Sequence, residues 1–338
     1  ATVGQILALS TVGGVIGSAL VGPTTAAVGS KRTMLAGAAS IVVLLPLVAL
    51  VAAPWHLLVV LFAIHAGDVL TDVAMNMQAS RLSARRSVPV MNRMHGMWSL
   101  GTVAGGLVAA LMAELEVGLG AHLVGASIVL LAALLFVAPG LLSTDPPPDP
   151  GVDRGRRAGG RIVIVFGMLG AAAILPEMIN SDWAAFRMTD DLGTSESVAG
   201  LAYVAFTAGM VVGRMSGDTV AVWFGRTTLL RLATALAIAG TAVATLLGSN
   251  ETVFVGLLLA GLGVSVMFPQ LYDRAARSAR PGAALGALTA GIRVSLLAFP
   301  ALVGALADTD SFTVGEAIAV VVVPAALAVL VLSDRAQT

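Results

Sequence analysis

TVGGVIGSALVGPTTAAVGSKR, residues 11–32, reappears in outline as TAGMVVGRMSGDTVAVWFGRTT, residues 207–228. Thr11, Gly13, Val15, Gly17 and Gly29 fall on Thr207, Gly209, Val211, Gly213 and Gly225, each pair 196 residues apart. Each copy is an apolar, glycine-rich run that ends on a glycine and a basic residue. Two such runs at one constant offset predict a membrane bundle built from parallel repeats. The same offset carries the run at 162–183 to a position before Ala1, so a further helix is expected ahead of this sequence.

The rest of the chain agrees with a membrane setting. Its 338 residues are 57% hydrophobic and 11% charged, with a mean hydropathy of +0.94. A water-soluble surface needs more polar groups than that. Apolar runs near 3–21, 34–53, 56–79, 94–113, 119–140, 162–183, 198–217, 228–248, 252–272, 284–306 and 313–332 are continuous and lack period-2 alternation. They read as eleven spanning helices of roughly 20 residues rather than barrel strands. LLSTDPPPDPGVDRGRRAGGR, 141–161, has no apolar period and reads as a linker between an N-terminal bundle, 1–140, and a C-terminal bundle, 162–338.

If the linker is cytoplasmic, alternate loops are cytoplasmic as well. Arg187 is then the one basic residue on the far side, Arg214 and Arg293 fall within spans, and the others gather on the linker side. That is the positive-inside pattern, and it places the C-terminus in the cytoplasm. Zero net charge without a charged tail gives no reason to expect nucleic acid, and the absence of Cys excludes disulfides and thiolate-held metals. No motif for a bound metal, nucleotide or other cofactor, and none for catalysis, is present. Lys31 is the sole lysine, and this arginine bias with abundant Ala and Gly points to a GC-rich bacterium and its inner membrane.

Gly22-Pro-Thr-Thr-Ala26-Ala27-Val-Gly29-Ser-Lys31-Arg32 resembles the G-x-x-x-D-R-x-G-R-R loop of the major facilitator superfamily. The flanking glycines and the basic pair are kept. The acid and first arginine of the motif are Ala26 and Ala27 here, and Val222 and Trp223 in the second copy, before Gly225 and Arg226. In the family that acid is held to lock one conformer, so Arg214 and Asp218 are candidates for a substitute. GDVLTDVAMNMQAS (67–80), MNRMHGMWSLG (91–101), PEMINSDWAAF (176–186) and GVSVMFPQLY (263–272) resemble the MosC-like branch, which includes YbjJ-type proteins. The resemblance implies an all-α membrane protein of the major facilitator fold: two pseudo-symmetric six-helix bundles, the first helix absent here. It implies a sugar- or cyclitol-like solute as substrate.

Ionisable residues within spans are costly and are therefore functional candidates. His65, Asp68, Asp72 and Asn76 follow at spacings of three and four, on one helical face. Asp68 lies roughly 18 Å along its span at 1.5 Å per residue. Two carboxylates at i and i+4 in a low dielectric repel when both are charged, and a proton relieves that. Asp68, Asp72 and Glu177 are the candidate proton carriers, against the alternative that the two aspartates cross-link helices. Asn76, His95, Trp98, Asn180, Tyr203, Phe206, Gln270 and Arg293 are candidate substrate contacts. Mid-span Arg293 needs an anion, for which Glu177, Asp72 and the substrate itself are candidates. Pro269 and Pro300 are either kinks or packing features. Gly101-Thr102-Val103-Ala104-Gly105-Gly106 is either a worn antiporter motif or ordinary small-residue packing.

The expected function is alternating access by a monomer, moving a small molecule with protons across the bilayer. An exporter exchanging an amphipathic compound for protons and a non-transporting membrane sensor are the competing expectations.

Overall fold

The computed structural model describes residue 6 and residues 9–143, 156–309 and 311–335. The described residues are helical, without strands. The first group of helices is α1 (Val12–Val28), α2 (Ser30–Leu44), α3 (Pro54–Arg86), α4 (Met91–Glu114) and α5 (Leu119–Val137). The second group is α6 (Arg156–Phe186), the short α7 (Glu196–Ala199), α8 (Leu201–Phe224), α9 (Arg226–Leu246), α10 (Asn250–Val264), α11 (Met267–Ala276), α12 (Pro281–Ala307) and α13 (Val314–Arg335). A 3-10 turn extends α2 to Leu50, and a π turn, Arg187–Asp191, extends α6.

Eight helices, counted across such breaks, are long and apolar enough to cross a membrane among the described residues. Each of the eleven expected spans is occupied by a helix. The three outside the eight are α1, with 17 residues, and α4 and α8. Arg214 and Asp218 lower the apolarity of α8, and both side chains are buried against the protein rather than offered to lipid.

Within the first group α3 packs on α1 and α2, and within the second α6 packs on α12 and α13 while α10 packs on α8 and α9. Two seams join the groups: α1 lies along α12, and α4 meets α8. The repeat is reproduced contact for contact. A Cβ on Gly13 would lie 2.1 Å from the Phe62 carbonyl oxygen, and one on Gly209 would lie 2.1 Å from that of Leu258. Gly17 meets Ala66 at 2.9 Å and Gly213 meets Leu262 at 2.7 Å in the same way. Phe62 and Leu258, like Ala66 and Leu262, are 196 positions apart. Small residues therefore set the backbone separation of α1 from α3 and of α8 from α10, the device lipid-embedded helices use to gain close packing.

The elbows after α1 and α8 are also a matched pair. Gly29 has φ 85° and Gly225 φ 78°, a left-handed region closed to most side chains. The turn is confined to these single glycines. Gly22, expected in the loop, lies inside α1, and Arg214 and Asp218 lie inside α8. The helix at the expected span 3–21 runs on to Val28 and carries Pro23 within it at the loss of one ladder hydrogen bond.

The expected span 252–272 is broken into α10 and α11 at Ser265–Val266. Pro269 explains the site: it has no N–H to give the carbonyl of residue 265 and its ring crowds that carbonyl. The break tips α11 onto α3 and α4 of the other group.

Gly209→Ala places a methyl group into the Leu258 backbone, so its thermal midpoint in detergent falls by the equivalent of about 1–3 kcal/mol. Gly248→Ala, with nothing within 4 Å, leaves the midpoint unchanged.

Candidate functional site

The polar face of α3 meets the second helix group. Asp68 Oδ2 accepts from Arg293 Nη2 of α12 at 2.6 Å. One turn on, Asp72 Oδ2 accepts from the Tyr272 hydroxyl of α11 at 2.9 Å. Asp72 Oδ1 accepts from Asn76 Nδ2 at 3.0 Å, and Asn76 Oδ1 lies 3.1 Å from His95 Nε2 of α4. The Tyr272 hydroxyl also lies 3.4 Å from Thr289 Oγ1, and its ring centroid is 5.4 Å from that of His95. Both carboxylates of one helix thus have partners on the opposite group. Arg293 reaches across because α1 carries Gly14, where a Cβ would lie 3.2 Å from the guanidinium Nε.

A second polar cluster sits between α4, α6 and α8. Arg214 Nη2 lies 3.3 Å from each carboxylate oxygen of Glu177, and Nη1 donates to Ser99 Oγ across the seam. Arg214 is buried and its Nε has no hydrogen-bond partner in the structure.

Two buried aspartates join the groups toward the linker side. Asp218 of α8 accepts from Asn92 N at 3.2 Å, Asn92 Nδ2 at 2.8 Å and Arg93 N at 3.0 Å. It therefore caps the first turn of α4 from the other side of the seam, where a negative charge meets orphan N–H groups and the positive end of the helix dipole. Asp273 of α11 accepts from Ser80 of α3 at 3.3 Å and is paired with Arg226 at 3.3 Å and with Arg277. Away from the linker side, the outer parts of α4 and α8 expose Val108 and Leu111, and Leu201, Tyr203 and Val204.

The structure gathers Asp68, Asp72, Asn76, His95, Glu177 and Arg293 at the meeting of the groups. It turns Asn180 and Phe206 away from them. Asn180 is buried in the second group, donating to Pro176 O at 2.8 Å and Thr241 Oγ1 at 3.0 Å. Phe206 is fully buried in the same core. Gln270 is buried on α11, whereas Trp98 and Tyr203 are exposed. Lys31 donates to Leu141 O at 3.3 Å, fastening the start of the linker, and Arg32 is exposed.

Sequence reasoning missed the partner of Arg293: Asp68 takes it, not Glu177, Asp72 or a substrate alone. Tyr272, Thr289 and Asp273 were missed as well. The available signal was the break before Pro269, which turns the end of the GVSVMFPQLY segment and the acid after it toward the other group.

A helical membrane protein in two repeats, with ionisable groups facing one another across the midline, belongs to the class of secondary transporters. The comparisons with known proteins agree. An uncharacterized MFS-type transporter of Yersinia pestis is 30% identical over 323 residues, 93% of this chain and 82% of that protein. The membrane protein MosC of Rhizobium meliloti is 29% identical over 82% of this chain and 67% of its own length. The major facilitator transporter FucP in its outward conformation superposes with a TM-score of 0.76 at 16% identity, covering 99% of this chain and 90% of that one. The proton:xylose symporter XylE gives 0.78 at 14% identity, covering 98% and 86%. No protein-family model matches the sequence. The chain belongs to the major facilitator superfamily.

Removing the Asp218 carboxylate weakens the α4–α8 seam. With spin labels at exposed Arg86 and Trp223, Asp218→Ala raises the population of longer distances about fivefold, the equivalent of losing one helix cap. Asp218→Glu restores part of it.

Proposed function

We propose that this chain is a proton-coupled secondary transporter of a small polyhydroxylated solute, sugar- or cyclitol-like, working by alternating access. In this reading residues 1–140 and 162–338 rock as two units about the 141–161 linker. The protein acts as a monomer in the bacterial inner membrane, with the linker and C-terminus cytoplasmic. The arrangement described above is then closed to the cytoplasm, since the buried Asp218 and Asp273 ties lie on the linker side.

The observation that carries the proposal is the pairing of α3 with the opposite group at both of its carboxylates. Charge on Asp68 holds Arg293 and with it α12. A proton on Asp68 removes that attraction, leaves Arg293 available to a polar solute and frees the two groups to move. Asp72 is linked through Asn76 to His95, so its hydrogen-bond state is communicated to α4. Loading a proton and re-pairing across the interface are thereby one event, which is what coupling requires. Glu177 and Arg214 form a second pair at the α4–α8 seam that is available to the same cycle.

Once the contacts between the two groups open, the amide of Asn76, the imidazole of His95, and the hydroxyls of Tyr272 and Ser99 favour a solute that both donates and accepts hydrogen bonds. XylE, a proton:xylose symporter by name, makes sugars the first panel to try.

Protein in liposomes with an internal pH dye acidifies the lumen when the transported sugar or cyclitol is added outside. Asp68→Asn, which removes the site that takes up the proton, abolishes the pH change while solute exchange persists. Normal proton-linked uptake by Asp68→Asn would overturn the assignment. Alkalinisation on adding a lipophilic cation would replace import by exchange.

A further inference from the structure

On the linker side a cavity of about 1130 Å³ lies between α1, α3, α6, α12 and the turn that joins α11 to α12. Arg81, Arg277 and Arg280 all line it, and no carboxylate does among the described residues. Arg277 is also paired with buried Asp273, which lies behind the lining. Ser278 Oγ is buried without a hydrogen-bond partner in the structure and belongs to the same lining. The first turn of α12 opens into the cavity at Pro281, Gly282 and Ala283, and no side chain caps this 27-residue helix.

The other seam offers a comparison. There, Asp218 of α8 crosses the seam and caps α4. The residue 196 positions before Asp218 is Gly22 of α1. Gly22 stands in the corresponding place: a Cβ on it would lie 3.3 Å from Ala283 N, in the first turn of α12. One turn along α1, Ala26 lines the same cavity. One helix start at the seam is neutralised by a carboxylate of its partner. The other meets glycine, alanine and three guanidinium groups.

We propose that this cavity binds the phosphodiester headgroup of an anionic phospholipid, which supplies from the bilayer the negative charge that Asp218 supplies on the α4–α8 seam. Backbone N–H groups at a helix start and arginine side chains are the donors that suit a phosphate. The volume is larger than a phosphate ion requires, and much of the wall is apolar, formed by Val15, Pro23, Val163 and Ala287. A glycerol backbone and the upper acyl chains fit such a wall, whereas a free ion does not use it. The lining runs from within the helices, at Val15 and Met77, to the linker-side ends of α1, α3 and α12 at Ala26, Ala84 and Pro281, the end at which a headgroup would sit. Bound there, the lipid holds α1 to α12 and favours the arrangement closed on the linker side. This inference does not depend on the substrate or on proton coupling.

Delipidated protein in detergent is titrated with phosphatidylglycerol or phosphatidylcholine, with binding read by native mass spectrometry and the thermal midpoint read in parallel. Phosphatidylglycerol binds more tightly and raises the midpoint; phosphatidylcholine does neither. The paired change Arg81→Gln with Arg280→Gln weakens phosphatidylglycerol about 25-fold, on the order of fivefold for each arginine. Ala26→Asp tests the site without removing its donors: it keeps the midpoint of the lipid-bound protein in the absence of lipid and loses the preference for phosphatidylglycerol. Equal binding of the two lipids, or a preference retained by both variants, would overturn the proposal. An equal rise in midpoint with inorganic phosphate alone would overturn the choice of a lipid.

Discussion

Charged side chains that lie within the membrane between two helical bundles need partners, and in this chain most of those partners are on the other bundle. Asp68 holds Arg293, Asp72 holds Tyr272, and Asp218 holds the start of α4. Asp218 is buried, and breaking its contacts in place leaves a polar group with little water to replace what it lost, whereas the Asp68 side chain is half exposed. The apolar surfaces of the helices have lipid as an alternative partner. The buried polar groups do not, and so they determine which relative positions of the bundles are stable.

Close packing inside each bundle makes that arrangement specific. Gly13 and Gly17, with Gly209 and Gly213, bring α1 onto α3 and α8 onto α10 at backbone contact. Backbone contact of this kind leaves the helices of each bundle little room to shift against one another. Gly14 shows how narrow the allowance is, since a methyl group there would meet the Arg293 side chain at 3.2 Å.

Much of this was legible in the sequence. The repeat at 196 residues located the paired glycines, the elbows at Gly29 and Gly225 and the expected pseudo-symmetry, because backbone packing leaves a local requirement for a small residue. The face formed by Asp68, Asp72 and Asn76 was legible for the same reason: helical spacing is a local property. What could not be read was pairing across the interface. Arg293 and Asp68 are 225 residues apart, and nothing in the order of residues prefers Asp68 to Asp72 or Glu177. Asn180 and Phe206 were placed among the substrate contacts on residue type, but the rotation of α6 and α8 turns them toward the second bundle's own core. The break at Ser265–Val266 follows from Pro269, yet its effect on Tyr272 and Asp273 depends on where α11 comes to rest.

The central claim is that Asp68 and Arg293 act as one unit across the bundle interface, and a double-mutant cycle tests it most directly. Thermal midpoints in detergent are compared for the parent protein, Asp68→Asn, Arg293→Gln and the double variant. Each single change leaves one charge without its partner, so the account predicts that both lower the midpoint and that the loss in the double variant is smaller than the sum of the two single losses. Losses that simply add in the double variant would contradict it.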